Sequence, residues 1–440
     1  MSSLEEEAEY RKLRRAEMLR GYHSANGQAR IWLLFQLVSI LGLSLYMEWR
    51  TLLLHPWVTV IALGMLVGPH LTPLVILWAK PKKEIGNLKE TTKFGEFDKH
   101  NLRQLFRLTA EKLMLPHRDL PVFITADKSV SAANVRLGLL GAMRGMNGVY
   151  LNRQVLHRMT PDEVQVLMGH ELGHYHKYSS LHDRFGALSS LVGALLGFVM
   201  GQASQIGPGG SVMLSVGCAF LVQKFDNFYW RNKGNHNYFL CDDYAAQVHG
   251  VGKCVDVLIK LGVDAELQIA IQQQAALAGN IANVSKQGIL QAVERELPYG
   301  HTSVEEMVGA IERAIKVQTQ KENQKSLVGF LDYMWNSGSQ EYEEAEVEQT
   351  MMLYKQLDAL PRVDWERCLD DPTEIQFDEL SLGKLSECLV EEPGLLFRIP
   401  GEAGWQVGEE PTLKERVIYL LLNRKEIEHA FRAGDLRYRN

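Results

Sequence analysis

Two long stretches without a formal charge, Ile31 to Met47 and Trp57 to Ala79, restrict the architectures open to this chain more than any other feature. A helix of about 20 apolar residues matches the hydrocarbon thickness of a bilayer; otherwise such a run must be buried as a hairpin inside a protein core. The first stretch, at seventeen residues, only just reaches spanning length. Basic residues crowd the outer flanks of the pair. Arg11, Lys12, Arg14, Arg15, Arg20 and Arg30 precede it, and Lys80, Lys82 and Lys83 follow it. Positive flanks mark the cytoplasmic side, so the pattern predicts a membrane hairpin with both ends in the cytoplasm. A second apolar pair, Phe185 to Gly201 and Ser211 to Val222, is joined through a G-P-G-G turn at Gly207 to Gly210. Its members are short for spanning, and they suit spanning, dipping into the bilayer or packing on the rest of the chain.

Between these pairs the pattern changes to that of a soluble α/β region. Leu102, Leu105, Phe106, Thr109 and Leu113 recur at helical spacing. Pro121 to Thr125 reads as a strand, Ala132 to Leu140 as another, and Asn147-Gly148 as a tight turn before a short strand, Val149 to Leu151. An edge strand in that position, leading to the helix that follows, would suit β-augmentation by an extended peptide. At 440 residues the chain has room for two or three domains. A net charge of −6 gives no sign of nucleic-acid binding. The five cysteines are odd in number and scattered, with no C-x-x-C, so no disulfide framework is expected and a reducing compartment fits. The charged N-terminus does not have the form of a signal peptide.

The chemistry is concentrated in Thr160 to Tyr178, T-P-D-E-V-Q-V-L-M-G-H-E-L-G-H-Y-H-K-Y. Thr160 is a good helix N-cap, Pro161 suits the first helical position, and Glu163 completes a capping box. Val164, Leu167, Met168 and Leu172 form an apolar stripe. His170 and His174, four apart, lie on one helical face, where both imidazoles can reach one metal ion. Glu171 projects beside them, where a carboxylate can take a proton from metal-bound water. This is the H-E-x-x-H arrangement of zinc metallopeptidases.

The order of apolar pair, α/β region, H-E-L-G-H, second apolar pair and acidic helix resembles the HtpX-type and CaaX prenyl protease-type integral-membrane zinc metallopeptidases. The resemblance runs from about Ile31 to Ile315 and is strongest over Asn147 to Lys177. It implies a mainly α fold with a small β-sheet, an α+β zincin-like core with membrane-associated hydrophobic helices, and one zinc ion per chain. It also implies protein or peptide substrates, cleaved by a multi-pass enzyme with its catalytic domain in the cytoplasm. The expected divisions are 1–98 (charged arm and hydrophobic hairpin), 99–330 (metallopeptidase domain with 185–222 inserted) and 331–440 (C-terminal soluble domain). Two segments, T-S-V-E-E-M at Thr302 and P-T-L-K-E-R at Pro411, are similar to the family's late H-P-x-x-E-E-R element. His301 precedes the first and is a candidate for oxyanion stabilisation; Glu410 precedes the second. The family pattern E-x-x-A-D, whose glutamate is the third zinc ligand, is replaced by Y-F-L-C-D-D-Y-A-A. Asp242, Asp243, His236 and Tyr238 are candidates to complete the set, with Asp242 preferred as an oxygen donor. The expectation is a zinc endopeptidase with Glu171 as base; the alternative, motivated by the missing glutamate, is a non-catalytic membrane adaptor that keeps the fold.

Overall fold

A computed structural model describes residues 12–56, 82–115, 120–125, 132–135, 148–179, 181–230, 235–282, 355–370, 375–392, 394–404 and 410–433, with a few single positions between. Almost all of Trp57 to Ala79, the region of His301 and the acidic run Gln340 to Glu348 lie outside the described residues. The fold is mainly α with a small β-sheet, as expected.

Helix α1, Arg15–Tyr46, runs unbroken from the charged N-terminal sequence into the first apolar stretch. Its two halves have different surroundings. Met18 and Ala29 are buried, whereas Ile31, Leu34, Phe35, Val38, Leu41 and Leu45 are exposed, Leu45 to 80%. Among the described residues this is the helix long and apolar enough to cross a membrane. A short helix, α2 (Trp49–Leu54), follows.

Strand β1 (Lys82–Glu84) and helix α3 (Lys99–Lys112) lead into β2 (Val122–Thr125), β3 (Ala132–Val135) and β4 (Gly148–Asn152). The Asp98 carboxylate caps α3 by accepting from the Asn101 N–H at 2.8 Å. The sheet order is β1-β2-β4-β3, with β2 and β4 parallel and the other two pairs antiparallel. Val122 stands opposite Val149, Ile124 opposite Leu151, and Ala133 opposite Tyr150. The strand Val149 to Leu151 is therefore central, paired on both sides, and not an edge. All five residues of β4 are buried, and a strand covered on both faces reads as a continuous apolar run. The edge beside the next helices is β3. Gly148 is needed where β4 meets β2, because a Cβ there would come within 2.1 Å of the Pro121 carbonyl oxygen.

Helix α4 (Arg153–Arg158) turns the chain into α5 (Pro161–Leu172), the centre of the molecule. Its capping box forms as expected, the Thr160 N–H donating to Glu163 Oε2 at 2.9 Å. The expected apolar stripe understates its burial: every residue from Glu163 to Leu172 is buried. Glu163 is tolerated there because Lys260 also reaches its carboxylate, at 2.7 Å.

Three helices follow: α6 (Leu181–Phe185), α7 (Ala187–Ala203) and α8 (Gly207–Trp230). The G-P-G-G sequence is not a turn. The turn falls at Gln205 and Gly207, both with positive φ, and Pro208-Gly209-Gly210 already belongs to α8. Gly193, Gly197 and Gly201 line the α7–α8 contact; a Cβ on any of them would come within 2.7 Å of an α8 atom. Small residues let the two backbones approach this closely. One buried carboxylate, Asp226 on α8, accepts from Trp32 Nε1 (2.8 Å) and Ser189 Oγ (2.8 Å) and lies 2.9 Å from His182 Nε2. It ties α1, α6 and α7 to α8.

The longest helix, α9 (Asn235–Ala282), packs along α5 and is interrupted at Gly250, where φ is +87°. The C-terminal part contributes α10 (Glu379–Glu391), α11 (Leu413–Leu422) and α12 (Arg424–Ala433). One hydrophobic core joins Leu13 and Met18, the sheet residues Val149 and Leu151, Met168 and Leu172 on α5, Leu240 and Ile259 on α9, and Phe397, Val417 and Leu420 near the C-terminus.

Gly148→Ala forces either β2 and β4 apart or Pro121 out of line. A loss of about 1–3 kcal/mol in stability is expected, measured as a lowered midpoint of thermal unfolding in detergent.

Candidate metal centre

Helix α5 loses its regular winding inside the H-E-L-G-H motif, between Glu171 and His174. Gly173 to Lys177 form a π-type turn, closed by the Tyr178 N–H donating to the Gly173 carbonyl at 2.8 Å. Such turns recur at functional sites because they re-aim side chains within a helix. Two glycines press this segment onto α9. A Cβ on Gly169 would stand 3.3 Å from the Ala245 Cα, and one on Gly173 would stand 3.2 Å from the Cys241 Sγ. The close approach sets the next residues, His170 and His174, against the Tyr238–Asp242 face of α9.

His170 and His174 meet with ring centroids 4.8 Å apart and nearly perpendicular planes. His170 and Glu171 are buried. The His174 Nε2 is enclosed and has no hydrogen-bond partner. Buried polar nitrogens are seldom left this way, and a lone pair on a neutral imidazole is suited to a metal ion. Burial first, with help from His170 and Arg416, holds the His174 ring well below the usual histidine range, so it is neutral. On this chemistry the pair fits a metal. Among the described residues, however, no three His, Cys, Asp or Glu side chains converge.

The four candidates for a third donor are placed differently. His236 packs over Gly21 of α1, its Nε2 within 2.3 Å of where a Gly21 Cβ would be. Asp243 is fully buried and accepts from Arg15 Nε at 2.7 Å. Tyr238 lies beside both histidines, its ring centroid 4.8 Å from that of His174 and 6.4 Å from that of His170. Its hydroxyl donates to Glu410 Oε1 at 2.9 Å.

Asp242, the preferred ligand on sequence grounds, stands behind His170. Its Oδ1 is 2.9 Å from His170 Nδ1. Arg416 on α11 engages both carboxylate oxygens, Nε to Oδ2 at 2.7 Å and Nη2 to Oδ1 at 2.6 Å. The reason for the difference is this guanidinium, which the local sequence around Asp242 does not reveal. Burial alone would raise the Asp242 carboxyl; Arg416 and His170 outweigh it and keep the group ionised, far below its ordinary range. A carboxylate at Nδ1 favours the tautomer with its proton there, leaving the Nε2 lone pair for a ligand.

Arg416 also locates one of the two late segments. It belongs to P-T-L-K-E-R at Pro411, which therefore reaches the site; His301 and T-S-V-E-E-M lie outside the described residues. Thr412 and Glu415 form a second capping box that starts α11 and fixes where Arg416 emerges. The sequence signal for Arg416 was the likeness of that segment to the late element; Arg15 and its Asp243 partner had none.

Residues 97–261 match the model of Peptidase family M48. In these residues the chain is similar to that family. This is the family that contains HtpX and the CaaX prenyl protease, and it implies metallopeptidase activity. The match runs from α3 through the sheet strands β2 to β4, α5 and the apolar helices α6 to α8 into α9, hence it includes both histidines, Glu171 and Asp242. No curated protein and no solved structure matches the chain.

Arg416→Met leaves the Asp242 charge buried and unpaired. Removing one partner of a buried pair costs about 3–5 kcal/mol, so the thermal midpoint should drop sharply. Adding Asp242→Asn should recover part of the loss, which a double-mutant cycle measures.

Proposed function

We propose that the chain is a membrane-bound zinc endopeptidase acting on protein or peptide substrates at the cytoplasmic face. The observation that carries this reading is the pair of apposed imidazoles on a buried helix, one with an enclosed unpartnered Nε2, with Glu171 between them in sequence. His170 and His174 would hold the ion. Bound there, zinc supplies a Lewis acid that polarises the scissile carbonyl and lowers the pKa of water towards neutrality. Glu171 accepts the proton of the attacking water at its carboxylate and returns it to the leaving amine. Asp242, clamped by Arg416, orients His170 and is assigned no place among the ligands. Among the described strands β3 is the sheet edge beside α5, and an edge there would suit an extended substrate strand.

The membrane part of the proposal rests on the exposed apolar face of α1 and on Met213, Phe220, Leu221 and Phe225, which are exposed on α8. Exposed apolar surface of this extent suits lipid contact. Leu13 and Met18 share the core of the peptidase region, and Arg15 pairs with Asp243. The N-terminal end of α1 and the catalytic helix therefore belong on one side of the bilayer, and the basic flanks assign that side to the cytoplasm. Protease added to sealed vesicles should reach a tag on the N-terminus and a site in the Lys99 region together; opposite accessibility contradicts the topology.

The adaptor reading is favoured by one observation, the tyrosine in place of a third acidic donor. Glu171→Gln separates the two. As an enzyme the protein should lose about 10²–10⁴-fold in the rate of peptide cleavage while its metal content stays near that of the wild type. Wild-type rates in this variant exclude the mechanism, and unimpaired cellular function in it favours the adaptor.

A further inference from the structure

The sequence scatters its five cysteines, but the fold brings two of them together. Cys368 ends a short 3-10 turn, Trp365–Cys368, and Cys388 stands near the end of α10, 20 residues later. Their sulfurs are 3.4 Å apart, with the Cys368 thiol donating to Cys388. Both are free thiols; Cys368 is buried and Cys388 is partly exposed. The chain on either side of the pair is held in place. Val363, just before the turn, donates to the Leu395 carbonyl at 2.9 Å, and Leu395, just past α10, donates to the Pro361 carbonyl at 2.9 Å. Arg367 lies 2.9 Å from the Asp364 carboxylate and also bonds Glu392 at the end of α10. A covalent S–S bond is about 2.05 Å long, so the sulfurs need to close by only about 1.4 Å. The two thiols are not equivalent. Burial first, then the bond to Cys388, pushes the Cys368 thiol up to about 12, so it keeps its proton. Arg367 is within electrostatic reach of both sulfurs, and Lys384 of Cys368. Cationic neighbours with partial exposure are the surroundings in which cysteines react.

We propose that Cys368 and Cys388 form a redox-active dithiol, a modification site at which a small disulfide such as glutathione disulfide installs a reversible cross-link between the turn and α10. Cys388, the exposed member, attacks first. Its thiol gives a proton to solvent and its sulfur attacks the small disulfide, whose S–S bond breaks. A mixed disulfide forms on Cys388, and the first small thiolate leaves and takes up a proton. Cys368 then gives up its proton and attacks the Cys388 sulfur, releasing the second small thiol. Two protein thiols are oxidised and one disulfide is reduced to two thiols. The cross-link acts on the layer that carries Arg416. Phe377, between the two cysteines in sequence, donates its N–H to Asp256 Oδ1 on α9 at 2.8 Å, and Arg362 lies 3.1 Å from Glu266 on the same helix. The Lys414 ammonium, two residues before Arg416, donates to the Gly394 carbonyl just past α10. Closing the loop restricts the unfolded chain and so fastens this layer on α9. The pair lies outside residues 97–261, so the inference stands apart from the zinc reading.

The test treats reduced full-length protein in detergent with glutathione disulfide, quenches with acid, unfolds and alkylates it, and reads its mass and peptides. The wild type should lose two of its five thiols and yield a peptide pair joined through Cys368 and Cys388. A thiol reductant should restore both. Cys368→Ser should stop at one glutathione adduct on Cys388, and Cys388→Ser should leave Cys368 unmodified. The cross-linked wild type should melt more than about 4 °C above the reduced form, a gain absent from both variants. Five alkylated thiols in the treated wild type overturn the proposal. So does a glutathione adduct on Cys388 that Cys368 does not displace, or a cross-link between other cysteines. A Cys368–Cys388 bond without a rise in melting temperature overturns the fastening role. The wild-type peptide map identifies the pair by itself, so a variant that fails to fold leaves the test in force.

Discussion

The buried contact between Arg416 and Asp242 is the interaction on which the rest of the site depends. An ionised carboxylate inside the protein is costly unless it is paired and fully hydrogen-bonded. Arg416 supplies a two-point partner, and His170 Nδ1 lies 2.9 Å from Oδ1. Three elements far apart in sequence, α5, α9 and α11, are thereby fixed to one another at the place where the imidazoles must be aimed. A lysine in place of Arg416 would offer a point charge without the planar fork.

A parallel arrangement stands on the adjacent residue. Asp243, next along α9, faces the other way and pairs with Arg15 of α1, whose N–H also donates to Asn423 at 2.8 Å. Asn423 in turn donates to the Leu13 carbonyl at 2.9 Å. The N-terminal arm and the C-terminal helices are thus joined behind the site, and one core runs through regions that the sequence pattern divides into three. Adjacent aspartates with opposite-facing arginine partners explain why α9 bears two buried carboxylates in succession.

Glycine and other small residues set the distances that these polar contacts require. Gly169 and Gly173 bring α5 onto α9, and Gly193, Gly197 and Gly201 bring α7 onto α8. At both seams the missing Cβ is filled by the neighbouring helix. Asp226 then joins the apolar helices by accepting from three of their neighbours. Polar satisfaction of this kind lets a buried carboxylate fasten apolar helices to one another.

The helix bearing His170 and Glu171 was legible from sequence because its determinants are local; the π-type winding that carries His174 was not. A cap, a proline at the first position and a spacing of four act within a few residues. The apolar character of α1 and of the α7–α8 pair was legible for the same reason, as was the strand at Val122. The central rather than edge position of Val149 to Leu151 was not, because strand order is set by pairing with distant segments. The role of Asp242 was decided only in three dimensions. Its residue type allows metal ligation, but an arginine 174 residues away holds its carboxylate and turns it to the back of His170. The meeting of Tyr238 with Glu410 is of the same kind, 172 residues apart in sequence. Sequence by itself determined the chemistry that the α5 motif can perform; tertiary structure decided which charged groups surround it, since long-range ion pairs leave no periodic or local trace in the chain.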